Sequence, residues 1–190
     1  MVTDELTEAV YQRLLHNIAS KGWQTNREAY IPQRRYIPSQ GSSMRESGDP
    51  ELIFFNMEGG PFISASDALK ECFSGLVRGE ETVLHGCSST ISLHIEWPGY
   101  RSWTDQIRTL DWPEPPNKIT RCKLATEAAK RLEKFLQRSK SMPVDPDAMQ
   151  WRAGVQGGIQ LQNIVVVAFE RVALGSWEPH LMYRQSPSLA

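Results

Sequence analysis

Six consecutive apolar residues, at positions 164–169, constrain the fold of this chain more than any other feature of its sequence. A strand with one face in water alternates apolar and polar residues, and this run shows no alternation. We therefore expect a central strand within 159–174 that is covered on both faces. Gly175 then marks a hairpin turn. The return strand over 177–184 contains Pro179, which predicts a position at the sheet edge because proline lacks an amide donor.

The other periodic segments predict three helices and three further strands. Ser64 and Asp67 have the spacing of a helix N-cap and precede one of the apolar helical patterns. Two short runs on either side of a four-residue Gly-Cys-Ser-Ser turn, the second with clean alternation of apolar residues, predict a β-hairpin. The predicted helices cover 4–20, 64–79 and 120–138, and the predicted strands cover 52–56, 82–85 and 90–97.

Between the first helix and the last strand the predicted order is β-α-β-β-α-β, the split motif of ferredoxin-like folds. We therefore expect an α+β fold. It consists of an antiparallel sheet of about five strands with two helices packed on one face, and an additional N-terminal helix. The sequence contains no internal repeat, and its amino-acid composition does not change sharply along the chain. A single domain over 1–190 accounts for all of these elements.

Three segments lack periodicity and contain most of the 12 prolines. They are an extended connection at 24–50 and loops at 97–118 and 139–158. The connection repeats the phrase Tyr-Ile-Pro at positions 30–32 and 36–38, on either side of Arg34 and Arg35. Such a sequence predicts an extended, polyproline-leaning segment that is either draped on the domain or mobile, with a tyrosine docking motif as a second interpretation.

Charge and hydropathy narrow the classes of partner and compartment. The 21 basic and 22 acidic residues leave a net charge of −1, which argues against a nucleic-acid partner. The longest apolar run is far shorter than the ~20 residues of a membrane helix. The sequence opens with acidic residues, unlike a secretory signal, and its three cysteines form no paired motif. We expect a cytoplasmic or nuclear protein with reduced thiols and no membrane association.

The sequence contains no constellation that specifies a catalytic residue, a metal site or a cofactor. Cys87 with His85 is the best candidate for a thiol nucleophile and its base, but no orienting acid is specified. His85, His94 and Glu96 are the best candidates for metal ligands, and hairpin geometry separates the two histidines. His94 and Glu96 share a strand face and are expected to point to solvent or to a covering loop.

RNA recognition is a further alternative. Ferredoxin-like sheets in RNA-binding proteins stack bases on aromatic residues of two strands. Phe54 or Phe55 could serve on the first strand, but the third strand has no matching basic and aromatic pattern. This alternative therefore depends on one strand only.

The candidate binding residues are aromatic and lie in the loop at 97–118. They are Trp97, Tyr100, Trp103 and Trp112. Rigid rings in a proline-stiffened loop supply a large contact area at a low entropic cost, as at protein interfaces. The alternative is that the rings fold back over the sheet as a lid on the core.

Three phrases resemble sequences of short uncharacterised proteins of mushroom-forming fungi. They are Trp-Pro-Gly-Tyr at 97–100, Ile-Thr-Arg-x-Lys-Leu-Ala at 119–125 and Gly-Ser-Trp-x-Pro-His-Leu at 175–181. The group has no known activity, so the resemblance implies only an intracellular domain of this kind.

The leading hypothesis is a non-enzymatic intracellular module that binds another protein through the aromatic loop. A small enzyme or ligand-binding protein with a Cys87/His85 site and a single-stranded RNA-binding domain are the alternatives. Self-association through a strand edge is also open.

Overall fold

The computed structural model describes residues 12, 16, 28–37, 51–111 and 116–184. It shows an α+β fold with a mostly antiparallel sheet. The strands are β1 (Glu28–Tyr30), β2 (Leu52–Phe54), β3 (Asn56–Met57), β4 (Gly60–Ser64), β5 (Thr90–Ile95), β6 (Trp103–Arg108), β7 (Leu110–Asp111), β8 (Asn117–Lys118), β9 (Ile164–Ala173) and β10 (Ser176–Arg184). The helices are α1 (Ala65–Leu69) and α2 (Arg121–Ser139), with short 3₁₀ helices at Pro146–Trp151 and Leu161–Asn163.

The hairpin of β9 and β10 forms the centre of the sheet. The main path of the sheet is β3-β4-β9-β10-β5-β6, with β2 also paired to β9 and β1 to β10. β10 runs parallel to β5 and antiparallel to β9. From β4 to β9 the chain order is β-α-β-β-β-β-α-β, because the short strands β7 and β8 follow β6, and β10 separates β9 from β5 in the sheet. This order does not confirm a ferredoxin-like arrangement.

The predicted central strand is confirmed, whereas the predicted edge position of the return strand is wrong. β10 has neighbours on both sides, because β5 pairs with its first two residues and β1 with its last three. Pro179 falls between these two pairings, so its missing amide interrupts neither of them.

Positive φ angles of the backbone contradict two further predictions, the full length of the helix over 64–79 and the strand over 82–85. The helix expected over 64–79 begins as predicted, with the Ser64 hydroxyl accepting from the Asp67 amide at 3.0 Å, but it ends at Leu69. Glu71 has a φ of 59°, which an α-helix cannot contain. The following residues return to β3, where the Val77 amide donates to the Asn56 carbonyl at 2.9 Å.

The predicted hairpin partner of β5 is also wrong. Residues 82–85 form turns and an isolated bridge, and Leu84 has a φ of 61°. β5 pairs with β6, so the loop expected at 97–118 contains a strand. The Pro98–Gly99 turn that reverses the chain places the Tyr100 amide 3.1 Å from the Trp97 carbonyl.

The sheet has two different faces. The main core combines both helices with one face of the sheet, and includes Ile91, Leu93, Ile95, Phe169, Trp177, Leu124, Leu132 and Phe135. On the other face, a smaller apolar cluster contains Phe62, Val165, Val167, Ala168 and Met182. Beside that cluster the same face is polar. The predicted helix over 4–20 lies outside the described residues except at Gln12 and His16, which are helical.

Candidate functional site

The aromatic residues that the sequence nominated for binding are buried where the structure describes them. Trp97, Tyr100 and Trp103 are 0%, 3% and 8% exposed. All three rings contact Phe135 of α2, with ring centroids 5.4–6.0 Å away. Their expected exposure on a docking surface is wrong, because the apolar face of the long amphipathic helix α2 offers the rings a dry surface to pack on. Trp112 lies outside the described residues.

Hydrogen bonds hold this aromatic cluster in place. The Trp97 indole donates to the Trp151 carbonyl at 2.8 Å, and the Tyr100 hydroxyl accepts from the Ala153 amide at 3.0 Å. Buried polar groups of large rings need such partners. The cluster therefore connects the segment at 139–158 to the core.

The Cys87 and His85 pair lacks the features of an activated thiol. His85 is exposed, and its Nε2 lies 2.8 Å from the Thr82 carbonyl oxygen. Burial raises the pKa of the half-buried Cys87 thiol, the opposite of what a thiolate nucleophile requires. For RNA stacking, Phe55 is buried in the main core and Phe54 packs against the smaller apolar cluster.

Five ionisable side chains, of which the sequence singled out only two, are buried on the face opposite the helices. They are His94 of β5, Glu96 just after it, Glu170 of β9, and Glu178 and His180 of β10. Each is only 4–7% exposed. Charged residues are rarely buried to this extent without partners of opposite charge. We call this group the polar face.

A short segment of the chain covers the polar face. Residues 30–36, which we call the strap, continue from β1 across β10 to the end of β5. The Ile31 amide donates to the Leu181 carbonyl at 3.0 Å, and the Arg34 amide donates to the Glu96 carbonyl at 3.1 Å. The strap thus binds the polar face partly as an added strand. The sequence-based interpretation of a draped segment is confirmed for these residues.

The side chains of the strap supply the charges opposite the buried glutamates. Arg34 lies 3.9 Å from Glu96, and its guanidinium donates to the Tyr100 carbonyl at 2.7 Å. Arg35 lies 3.6 Å from the Glu170 carboxylate. Two cations therefore face two of the three buried glutamates.

A hydrogen-bonded chain anchors the start of the strap. The Tyr30 hydroxyl lies 2.8 Å from His180 Nδ1, and His180 Nε2 lies 3.0 Å from Glu170 Oε2. His180 uses both ring nitrogens in this way. Glu170 consequently receives contacts from His180 with one oxygen and from Arg35 with the other.

The third glutamate, Glu178, is held differently. Burial, together with the nearby Glu170 and Glu96, raises the pKa of its carboxyl to about 8, although the backbone amide of Tyr36 and the charge of Arg35 act in the opposite direction. The Tyr36 amide donates to Glu178 Oε1. At neutral pH this carboxyl is mainly protonated, so the charges of Arg34 and Arg35 balance those of the remaining two glutamates.

His94 provides a flat surface at the end of the strap. The Tyr36 ring stacks on its imidazole, with ring centroids 3.7 Å apart and planes inclined by 25°. Burial lowers the pKa of His94, so the ring is neutral at pH 7. His94 Nδ1 lies 3.0 Å from the Thr104 hydroxyl, and the buried Nε2 has no hydrogen-bond partner among the residues placed by the structure.

The sequence contained part of the signal for this site. It placed His94 and Glu96 on one strand face beneath a possible covering loop, and it set Arg34 and Arg35 within an extended segment. The missing information was that Glu170, Glu178 and His180 join them. That required the parallel pairing of β5 with β10, a long-range contact that local patterns do not specify.

Within residues 28–37, 51–111 and 116–184, no group of three His, Cys, Asp or Glu side chains is placed to bind a metal ion. Over the same ranges, no helix is both long enough and apolar enough to cross a bilayer. Comparison of the chain with protein families, with curated proteins and with solved structures finds no match.

Proposed function

We propose that this chain is a protein-interaction module whose polar face binds an extended basic segment of another protein. In the structure the chain's own strap occupies that position. The observation that carries the proposal is the set of three buried glutamates, from two adjacent strands and the end of a third, beneath a segment with two consecutive arginines.

The geometry of the strap supports its replacement on the polar face by a basic segment of a partner protein. Its two ion pairs are 3.9 and 3.6 Å long, and the Arg34 side chain is 62% exposed. Such pairs contribute little compared with short bidentate contacts of arginine to carboxylate. A partner segment that approaches the glutamates more closely would therefore compete well, although the strap has the advantage of being tethered.

The polar face also needs a basic occupant. A buried carboxylate without its partner destabilises a folded protein strongly, whereas an apolar replacement is often neutral. Glu96 and Glu170 thus favour states in which a cation lies over them. This requirement favours specific binding of an arginine-containing segment over non-specific association.

The test is the binding of the strap sequence supplied as a separate molecule. The host is the full chain with Arg34→Ser, Arg35→Ser and Tyr36→Ser, the strap variant, checked for cooperative unfolding. A fluorescent peptide with the sequence of residues 28–37 is titrated with this host, and anisotropy is measured. We expect saturable binding that weakens about tenfold or more when both arginines of the peptide are replaced by serine.

The matched control variant removes three cations elsewhere. Lys130→Ser, Lys134→Ser and Lys140→Ser alter exposed residues of α2 and its C-terminus while leaving the strap intact. This variant should bind the peptide no better than the wild-type chain does. A milder host, Arg35→Ser alone, serves if the strap variant unfolds. Absence of peptide binding to a folded host, or equal binding of the serine-substituted peptide, would contradict the proposal.

A further inference from the structure

The end of the strap contacts the polar face in a way that charge does not explain. Tyr36 is not a basic residue, but both its backbone and its ring are held. Its amide donates to Glu178, and its ring stacks on His94 at a centroid distance of 3.7 Å. The two receiving residues belong to the parallel strands β5 and β10, so the position of this residue is fixed from two sides.

His94 is fixed in turn by β6. The Thr104 hydroxyl lies 3.0 Å from Nδ1, which determines the orientation of the imidazole plane. The imidazole ring is buried and neutral, and its Nε2 forms no hydrogen bond with any residue in the described ranges. A buried ring nitrogen without a partner is costly. The imidazole therefore presents a flat, uncharged surface that suits stacking with another planar ring.

The order of contacts along the strap gives a sequence pattern. Arg34 faces Glu96, Arg35 faces Glu170, and Tyr36 lies on His94. Three consecutive residues thus meet three different residues of the polar face. A ligand bound in the same direction would need the same spacing.

We propose that the polar face recognises an extended segment of a partner protein in which two consecutive arginines are followed directly by an aromatic residue. This inference rests on the proposed function and adds its specificity. His94 forms the aromatic subsite, and Glu178 anchors the backbone of the aromatic residue. Tyr36 contacts Glu178 through its amide and His94 through its ring, so phenylalanine should serve as well as tyrosine.

The experiment measures the preference for an aromatic ring in the presence and absence of the imidazole. Three peptides of residues 28–37 are used, carrying Tyr36, Tyr36→Phe or Tyr36→Leu, with the strap variant as host. We expect the tyrosine and phenylalanine peptides to bind within about twofold of each other. The leucine peptide should bind about tenfold more weakly, as expected for loss of a well-stacked pair.

A second host adds His94→Ala to the strap variant. Here the ratio between the tyrosine and leucine peptides should fall below about twofold, because the stacking partner is gone. The control host adds Ser92→Ala, two residues before His94 on the same strand, and should keep the full ratio. If the His94→Ala host does not fold, Thr104→Val replaces it and should reduce the ratio by releasing the imidazole.

The outcomes separate the two proposals. Equal binding of the tyrosine and leucine peptides to the strap variant, which retains His94, would overturn the aromatic subsite and leave the acidic interaction site standing. An unchanged ratio in the His94→Ala host would also overturn it. Absence of binding by every peptide would overturn the proposed function, and the specificity with it.

Discussion

The two faces of β5 and β10 differ more than any other two regions of the molecule. Toward the helices, these strands present Leu93, Ile95 and Trp177, all fully buried among apolar neighbours. Toward the strap, they present His94 and Glu178, buried almost as deeply but ionisable. The same strands therefore build a conventional core on one side and a costly polar surface on the other.

We infer from this difference that one face determines stability, and we propose that the other binds the partner segment. Apolar burial stabilises the fold in proportion to the area removed from water. A buried ionisable group contributes little net stability even when paired, and apolar residues could fill the same space. The helix-facing side therefore accounts for the fold, and we attribute the polar face to recognition.

The largest expected effect tests the apolar side of the comparison. Trp97→Ala should lower the free energy of unfolding by roughly 3–5 kcal/mol, because it removes a fully buried ring from the contact with Phe135. Urea denaturation measures the change. Leu174→Ala, at a side chain that is 71% exposed, should change the same quantity by less than about 0.5 kcal/mol. Equal stability of the Trp97→Ala variant and the wild type would place the ring outside the core.

The second prediction concerns the pH dependence that the polar face imposes. The pKa of Glu178 is about 8 in the folded chain, above its ordinary value of 4.5. Between these values the folded state holds a proton that the unfolded state releases. The contribution of this proton to stability is complete below about pH 4.5 and is lost as the pH rises through about 8, with a slope of at most about 1.4 kcal/mol per pH unit.

Glu178→Gln should remove this slope, so that the variant gains stability over the wild type as the pH increases from 5 to 8. Urea denaturation at each pH gives the difference between the two proteins, which isolates Glu178 from the other titrating groups. Glu133→Gln, an exposed change on α2, should keep the wild-type slope. Parallel curves for Glu178→Gln and the wild type would contradict the burial of this carboxyl beneath the strap.

A smaller effect is expected at the start of the strap. Tyr30→Phe removes the hydroxyl that lies 2.8 Å from His180 Nδ1 and should cost about 1 kcal/mol. Tyr183→Phe is the matched control at a half-buried tyrosine and should have little effect. Thermal denaturation measures the loss of stability in each variant. An equal effect of both changes would show that the hydrogen bond to His180 contributes nothing.

Local patterns predicted the elements whose contacts are also local. The helix expected over 120–138 is found as α2, with the Thr120 hydroxyl accepting from the Lys123 amide at 3.2 Å. The hairpin around Gly175 is found as β9 and β10, and the glycine has the expected positive φ of 73°. In both cases the residues that specify the helix start or the hairpin turn lie within a few positions of it in the sequence.

The errors have a shared physical cause. Residues 70–79 carry a helical apolar pattern, but the segment turns back onto β3 because that contact buries Leu76. β6 escaped prediction because only Trp103 and Ile107 are buried within it, too few for a clear alternation. Both outcomes depend on partners far away in the sequence, which compete with local preference.

The position of a bound segment is the central claim, and photo-crosslinking tests it most directly. A peptide of residues 28–37 with p-benzoylphenylalanine at the position of Tyr36 is irradiated with the strap variant, and the adducts are mapped by mass spectrometry. The account predicts adducts at residues around His94 and Glu178, and their loss when both arginines of the peptide are replaced by serine. Adducts confined to α2 or other surfaces, or equal yields from the two peptides, would contradict it.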